Sequence, residues 1–448
     1  MNPEVYLVNV TRKVNQIQLP IWTSVLVNAL KMSDINVEVI DLLPIPEGRK
    51  EEYFKSRLPK EKTIFGFSII AGNNHLNQTE RYAQMVLEAN PENIIVYGGS
   101  LPSSIPELTL ENCLCKYLIA GEGEFSFPYL IKSINQGNQS PGDITGLFYK
   151  NENGVVGIPP KRIHSLTEYS KPDYGLLDMN FYVNYLNETN QSFELMASRG
   201  CRGNCSFCFK FCGPGFSMKR PDAVLDEIQE IIDKYQLRRF YFVDENFFDS
   251  NRFFLEFIKL KQERKMDFTF RGQARLDCID QEMLTLGKEN GLVCISTGIE
   301  SYSQKTLDRI GKHMDIKDIE QKIRLIQSHD ILLLTSLIMG FEGDTEQDFQ
   351  ELEQFVIKNG LQKKTKIHYL TPLPNTRLFR EAVEKGYITN EFEYVQNLGD
   401  LYWERMVNMT KLPDEVFDNW YKRLYALCSK EVVEPTSNKY TVNIKKIH

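Results

Sequence analysis

No apolar run in the sequence approaches the length of a membrane span. The longest candidate, ILLLTSLIMGF at 331–341, has the length of a buried strand. The opening MNPEVYLVNVTRK begins a strand almost at once and lacks the layout of a secretory signal. An excess of basic residues is also missing: 53 Lys and Arg face 60 Asp and Glu, a net charge of −7. That balance argues against a nucleic-acid footprint. There is no internal repeat and no low-complexity stretch. The nine cysteines are odd in number and unevenly spread. Without a secretory signal they argue against a disulfide framework and for a cytoplasmic metal or redox site.

What remains is ordinary for a globular protein, 42% hydrophobic and 25% charged, and 448 residues suffice for two or three domains. The first 140 residues alternate strand and helix: VYLVNV, VEVIDLL, TIFGFSII, IIVYGGS and KYLIAGEGE are apolar runs separated by helical patterns. This predicts a parallel, Rossmann-like sheet covered on both faces, with its ligand at the carboxyl ends of the strands. Those ends hold Val10 and Thr11; Ser68, Ile70, Ala71, Gly72 and Asn73; Gly98, Gly99, Ser100, Leu101 and Pro102; and Glu122, Gly123 and Glu124. They are rich in Gly, Ser and Asn, which lets backbone approach a ligand closely. Residues 141–190 read as a hairpin with an Asn-Gly turn followed by a crossing segment. Tyr182 and Tyr185 in it, and Tyr402 and Trp403 near the end, read either as cavity lining or as core.

From 191 to 385 a second alternation gives six βα units, from FELMAS through RFYFVDENF, MDFTFRGQAR, GLVCISTGIES and ILLLTSLIMGF to KTKIHYLTPLP. Six units rather than eight predict a partial barrel with its active site at the strand carboxyl ends. A small, mainly helical region fills 386–448.

Four cysteines crowd the loop after the first of these strands: Cys201, Cys205, Cys208 and Cys212. The spacing Cys-x3-Cys-x2-Cys lets soft thiolates reach three corners of an iron–sulfur cube. A closed zinc site or a ferredoxin-type carrier would use all four. Neither explains a loop planted at the mouth of a barrel. Cys113, Cys115, Cys278, Cys294 and Cys428 read as packing residues.

The segment FELMASRGCRGNCSFC resembles the cysteine motif of radical S-adenosylmethionine (SAM) enzymes, including an aromatic, Phe207, before the third cysteine. VDENF at 243–247, STGIES at 296–301, SLIMGFEGDTEQDF at 336–349 and TPLPNTRLF at 371–379 match, in order, later segments of the cobalamin-dependent branch. GGSLPSSIPE and GEGE look like the ligand-facing loops of that branch's cobalamin domain. Glu342-Gly343 and Asn375 stand where the family carries Pro-Gly and Gly, and Asp-x-His-x-x-Gly, by which many cobalamin proteins ligate cobalt, is absent.

The resemblance implies a 4Fe–4S cluster on Cys201, Cys205 and Cys208, with SAM on the iron that they leave open. It places Asp244 and Glu245 at the SAM ammonium, Arg275 and Gln273 at the carboxylate, and Gly298 and Glu300 beside the ribose. The strand ends of the first domain become the cobalamin site, with the lower face of cobalt built by 68–73 and unligated; His75 is the one histidine near enough to compete. The expected activity is methyl transfer from methylcobalamin to an unactivated carbon or a phosphinate phosphorus of a small molecule or peptide, with electrons from a flavodoxin- or ferredoxin-type donor. Non-methylating radical chemistry and a cobalamin- or cluster-based sensor are the alternatives.

Overall fold

The computed structural model describes residues 3–10, 17–70, 72–138, 142–210, 212–213, 215–399 and 404–428, without the side chains of 72–74. Five short strands open the chain: β1 (Val5–Asn9), β2 (Val37–Asp41), β3 (Ile64–Ser68), β4 (Ile94–Gly98) and β5 (Tyr117–Ile119). They pair in parallel in the order β2-β1-β3-β4-β5, so the sheet changes winding direction between β1 and β3. All five residues of β1 are buried, because helices cover both faces. Ile21–Met32 and Gly123–Asn135 pack one face around Leu7, Val39, Val96 and Phe127. Gly72–Ala89 covers the other, where Phe65 and Tyr97 meet the main core.

The hairpin expected after residue 141 forms as β6 (Leu147–Asn151) and β7 (Gly154–Gly157), but it is not a free linker. β6 adds antiparallel to β5 and β7 antiparallel to β6, extending the first sheet to seven. The crossing helix Met179–Thr189 is likewise tied down. Tyr182 is fully buried and its hydroxyl donates to Asp41 Oδ2 at 2.7 Å, while Asn9 Nδ2 donates to Oδ1 at 2.6 Å. Tyr185 Oη accepts from the Ile17 amide at 3.1 Å. These two tyrosines are core and anchor; Tyr402 and Trp403 lie outside the described residues.

The second sheet has the six parallel strands anticipated. They are β8 (Phe193–Leu195), β11 (Arg239–Phe242), β12 (Thr269–Gln273), β13 (Leu292–Glu300), β14 (Leu332–Met339) and β15 (Thr365–Tyr369), in sequential order. Between β8 and β11 a short antiparallel pair, β9 (Ser198–Gly200) and β10 (Phe216–Met218), stands apart. Period-two alternation sorts the barrel's residues. Phe240, Phe242, Phe268 and Phe270 face the helices in an aromatic core, with Phe242 and Phe247 stacked at 3.9 Å. Tyr241, Arg271 and Cys294 are register partners on the opposite, lumenal face, and the Arg271 guanidinium lies 4.0 Å over the Tyr241 ring.

Within its described residues the carboxyl-terminal region carries the helices Glu391–Gln396 and Asp414–Cys428, and the second has a definite task. Asp414–Cys428 covers the edge strand β15, with Tyr421 stacked on Tyr369 at 3.6 Å and Trp420 Nε1 donating to Glu346 at 2.8 Å. Among the described residues no helix is long and apolar enough to cross a membrane.

Candidate functional site: a cysteine loop beside an interdomain cavity

The β9–β10 pair closes the base of the cysteine loop, matching Gly200 to Phe216 and Ser198 to Met218. Gly200 has φ +87°, and a Cβ there would meet Arg162 Nη2 at 2.9 Å, so the position requires glycine. Two backbone hydrogen bonds moor the tip. The Ser206 amide donates to Ile310 O at 2.8 Å, and the Leu378 amide donates to Ser206 O at 3.0 Å.

Cys201, Cys205 and Cys208 are half-buried and form no disulfide. Burial pushes the Cys208 thiol up to about 12, and the neighbouring Cys205 and Cys201 push the same way. Cys201 is also raised by burial, against a hydrogen bond from the Gly203 amide at 3.3 Å. Such thiols ionise only when a cation compensates them. Arg275 Nη1 donates to Cys205 Sγ at 3.7 Å, and Arg275 is itself fixed by Asp277 at 3.0 and 2.8 Å and by Lys312 O at 2.9 Å. Cys212 sits elsewhere: it is buried, and the charges acting on it are Glu122, Arg199, Glu245 and Arg162. Among the described residues no three His, Cys, Asp or Glu side chains converge on one ion. What separates the four-cysteine zinc reading from the three-cysteine one is Cys212, whose surroundings differ from those of the other three. Three thiols that influence one another without meeting at a point suit a cluster several atoms across.

The residues expected around SAM divide into two sets. Glu300 lies against Gly298, where any Cβ would collide with its carboxylate, and pairs with Lys312 Nζ at 3.2 Å. Its φ of +69° falls at a register shift in the β13–β14 pairing, and its charge adds to the upward push on Cys208. Glu300, Lys312, Arg275 and the cysteines thus form one contiguous wall. Lys312 has no sequence signal of its own; it is found only through its partners. Phe207 borders this wall, its ring 6.2 Å from Phe341.

Asp244 and Gln273 are engaged differently. Asp244 is buried, accepts from the Ala197 amide at 3.1 Å and from the Ser198 hydroxyl, and burial raises it to about 7. It grips the β8–β9 connection. Its neighbour Glu245 is exposed and accepts from the Gly200 amide at 3.0 Å. Gln273 Nε2 donates to Tyr241 Oη at 3.0 Å.

A largely apolar cavity of about 290 Å³ lies at the strand ends of the first sheet. Ser68, Ile70, Gly98, Gly99, Ser100, Glu122, Gly123 and Glu124 line it, with Trp22, Val25, Leu26 and Phe127 from the two helices on that face. Gly66 opens the space: a Cβ there would stand 3.0 Å from Phe127 Cζ and 3.1 Å from Leu7 Cδ2. Gly99 turns the backbone at φ +91°, with Ile69 O only 2.7 Å from where a Cβ would be. Leu101 and Pro102 are buried in the short helix Ser100–Ser104 behind the cavity, and Val10 is core. Thr11 and Ala71 lie outside the described residues; Gly72 begins its helix, as does Asn73, whose side chain is not described.

The cavity does not end with the first domain. Met196, Arg199 and Val243 of the second complete its wall. Arg199 reaches across to Glu122 at 2.8 Å and Glu124 at 2.6 Å. Glu122 also accepts from the Ile163 amide at 2.6 Å and Glu124 from the Ser170 hydroxyl at 2.8 Å. The acidic pair of GEGE thus clamps the domains together, leaving backbone and stems to face the cavity. His75 is buried rather than solvated, and its Nδ1 accepts from the Ile70 amide at 3.2 Å. A neutral ring bonded this way carries its proton on Nε2, so neither nitrogen offers a lone pair to a metal.

Residues 195–356 match the family model described as the radical SAM superfamily. This stretch is a radical SAM domain. Around it, the chain is 29% identical over 320 residues to an uncharacterized methyltransferase of Pyrococcus horikoshii, covering 68% of this chain and 66% of that protein. It is 25% identical over 415 residues to the anaerobic magnesium-protoporphyrin IX monomethyl ester cyclase of Rubrivivax gelatinosus, covering 91% and 73%. The chain therefore spans only about two thirds to three quarters of these relatives. Its fold follows two solved radical SAM structures. One is the methyltransferase TsrM of Kitasatospora setae with cobalamin and a 4Fe–4S cluster bound, at TM-score 0.72 and 18% identity over 86% of this chain and 78% of that one. The other is the cobalamin-dependent enzyme OxsB with aqua-cobalamin and SAM bound, at TM-score 0.73 and 19% identity over 91% and 64%.

Proposed function

We propose that this radical SAM domain and its neighbouring domain form a cobalamin-dependent radical SAM methyltransferase. One observation carries the reading: the cavity at the strand ends of the first sheet is completed by barrel residues, two of which, Met196 and Arg199, lie a few positions before the cysteine loop. Cobalamin in the cavity and SAM at the loop would then share one chamber. When bound, the cluster, SAM and cobalamin would together supply one-electron chemistry and a transferable methyl group.

The chain supplies position and environment. Cys201, Cys205 and Cys208 would hold the cluster, and Arg275 with the Gly203 amide donates toward the sulfurs, offsetting their charge. Glu300, held by Lys312, offers an acceptor to hydroxyls, and exposed Glu245 offers one to an ammonium. Trp22, Val25, Leu26 and Phe127 keep water from the cavity. The buried, amide-bonded His75 favours cobalamin bound without a protein ligand below the cobalt. The acceptor is a small molecule or peptide carrying the inert carbon or phosphinate phosphorus.

The test is the product pattern with SAM and a low-potential reductant. S-adenosylhomocysteine alongside deoxyadenosine and methionine supports methyl transfer. Deoxyadenosine without S-adenosylhomocysteine supports the second reading, a non-methylating radical reaction, which the cyclase relative's cover of 91% of this chain favours. No SAM turnover at all supports a sensor.

Filling the cavity tests its occupant separately. Gly66→Val places methyl groups where Phe127 and Leu7 already stand. Overpacking of this kind costs about 1–3 kcal/mol. The variant should retain at least about tenfold less cobalamin after gel filtration, with iron content unchanged. Equal cobalamin retention would put the vitamin elsewhere.

A further inference from the structure

The last strand of the barrel, β15, carries two polar side chains that the interdomain cavity does not engage, Lys366 and His368. Their register partners on β14 are Ser336 and Ile338, so period-two alternation puts both on the lumenal face. Ile367 and Tyr369 face the helices instead, with Tyr369 stacked on Tyr421. Ser336 pairs in turn with Gly298, which brings Lys366 and His368 to the level of the mouth. β13, which carries Glu300, is two strands away, or about 10 Å.

His368 Nδ1 is buried and has no hydrogen-bond partner among the described residues. Buried polar atoms are almost always bonded, so an unbonded one calls for a reason. Burial, and after it the Lys366 charge, push His368 down to about 4, so the ring is neutral at neutrality. Lys366 is exposed and has no carboxylate within 4 Å among the described residues. Two acids of the same sheet are placed elsewhere. Glu194, the register partner of Tyr241, belongs to the row that meets β14 at its first residue, Leu332. Glu300 is paired with Lys312 at 3.2 Å.

We infer that Lys366 and His368 are a recognition pair for the acceptor substrate, Lys366 taking an anionic group and His368 a hydroxyl or N–H of the same molecule. The pair rests on the methyl-acceptor reading proposed for this chain and gives that acceptor a class. It is an anion with a neutral hydrogen-bonding group about 7 Å from its charge, the spacing of residues i and i+2 on one strand face. An ammonium would meet Lys366 with no acid beside it. A wholly apolar substrate would seal the imidazole in without a partner, which is unfavourable for any buried polar group. A neutral imidazole can either accept or donate, so it suits a hydroxyl in both directions. Both residues bind and orient; no bond is made or broken by either.

Three small probes test the pair on the full chain, as isolated and again after reconstitution with iron, sulfide, cobalamin and SAM. They are 3-hydroxyphenylacetate, phenylacetate, which lacks the hydroxyl, and 3-hydroxyphenethylamine, which exchanges the anion for an ammonium. In isothermal titration the first should bind about tenfold more tightly than the second, and the amine should not bind. Lys366→Met should weaken both anions about threefold to fivefold. His368→Phe should leave phenylacetate nearly unchanged and erase the preference for the hydroxyl, and His368→Gln should restore part of it. A histidine with a merely structural role would weaken both anions alike, with no recovery in the glutamine variant, and that result would overturn the pair. So would preference for the amine, or no binding of either anion to the unmodified chain. A loss of SAM affinity in His368→Phe, with the hydroxyl preference intact, would overturn it in favour of a contact to SAM. Selective binding that needs both residues, in a chain that forms no S-adenosylhomocysteine, would uphold the pair and sink the methyl-acceptor reading. Methyl transfer with probe binding indifferent to both residues would do the reverse.

Discussion

Alanine at Cys201, Cys205 or Cys208 should reduce the iron and sulfide content of reconstituted protein from about four of each per chain to near zero. SAM cleavage should disappear with it. Alanine at Cys212 should leave both unchanged. The contrast follows from environment rather than count. The first three thiols act on one another, and Arg275 and the Gly203 amide point donors at two of their sulfurs. Cys212 is buried among Glu122, Arg199, Glu245 and Arg162, at the domain junction. Its truncation to alanine costs only packing, on the order of 1 kcal/mol. Each of the other three would remove one of the three thiols that share the loop's outer half, while Cys212 lies in the separate surroundings of the domain junction. Loss of iron in Cys212→Ala, with serine failing to restore it, would return the loop to a four-cysteine site.

The cysteine loop was legible because its chemistry is carried by local spacing, and both sheets were legible because buried parallel strands are short apolar runs. Side-chain direction was not. Asp244 and Glu245 look equivalent in VDENF, yet the first turns inward to Ala197 and Ser198 and the second stays exposed. Both lie past the end of β11, so the path of the loop decides that, and it becomes visible only once the loop is placed against β8 and β9. The hairpin's destination was equally hidden. Its Asn-Gly turn marks two paired strands but carries no information on which sheet they join; that β6 pairs with β5, setting Tyr149 beside Tyr117, is written in no local pattern. Glu122 and Glu124 sit in a glycine-rich strand end that reads as ligand-facing. Their partner, Arg199, is 77 residues from Glu122 in sequence, and no local pattern announces a pair of that span.

That pair sets the largest stability effect expected of any single change. The Arg199 side chain is 12% exposed, and those of Glu122 and Glu124 are 2% and 4%. Arg199→Met removes the cation and strands two carboxylates away from water, which costs about 3–5 kcal/mol. Burial alone would raise Glu124, but the Arg199 charge and the hydrogen bonds from Arg199 and Ser170 outweigh it and hold the carboxyl below 4.5. A depressed carboxyl stabilises the fold above its unfolded pKa, and that stability is lost as pH falls through the folded value. In the unmodified chain this contribution is therefore complete at neutrality and fails only below 4.5. Without Arg199 burial acts unopposed, the Glu124 pKa rises, and the sign reverses. The variant should become more stable as pH is lowered from about 7.5 toward about 5, because protonation relieves the stranded charge. Urea midpoints across that range decide the matter, and Arg199→Met/Glu122→Gln/Glu124→Gln should recover much of the loss at neutrality. A flat profile in the single variant would mean that water enters the junction and solvates the acids. The same substitution should also loosen cobalamin, because Arg199 both lines the cavity and fixes β9, two residues before Cys201. One buried ion pair would thereby hold the two halves of the chamber in register.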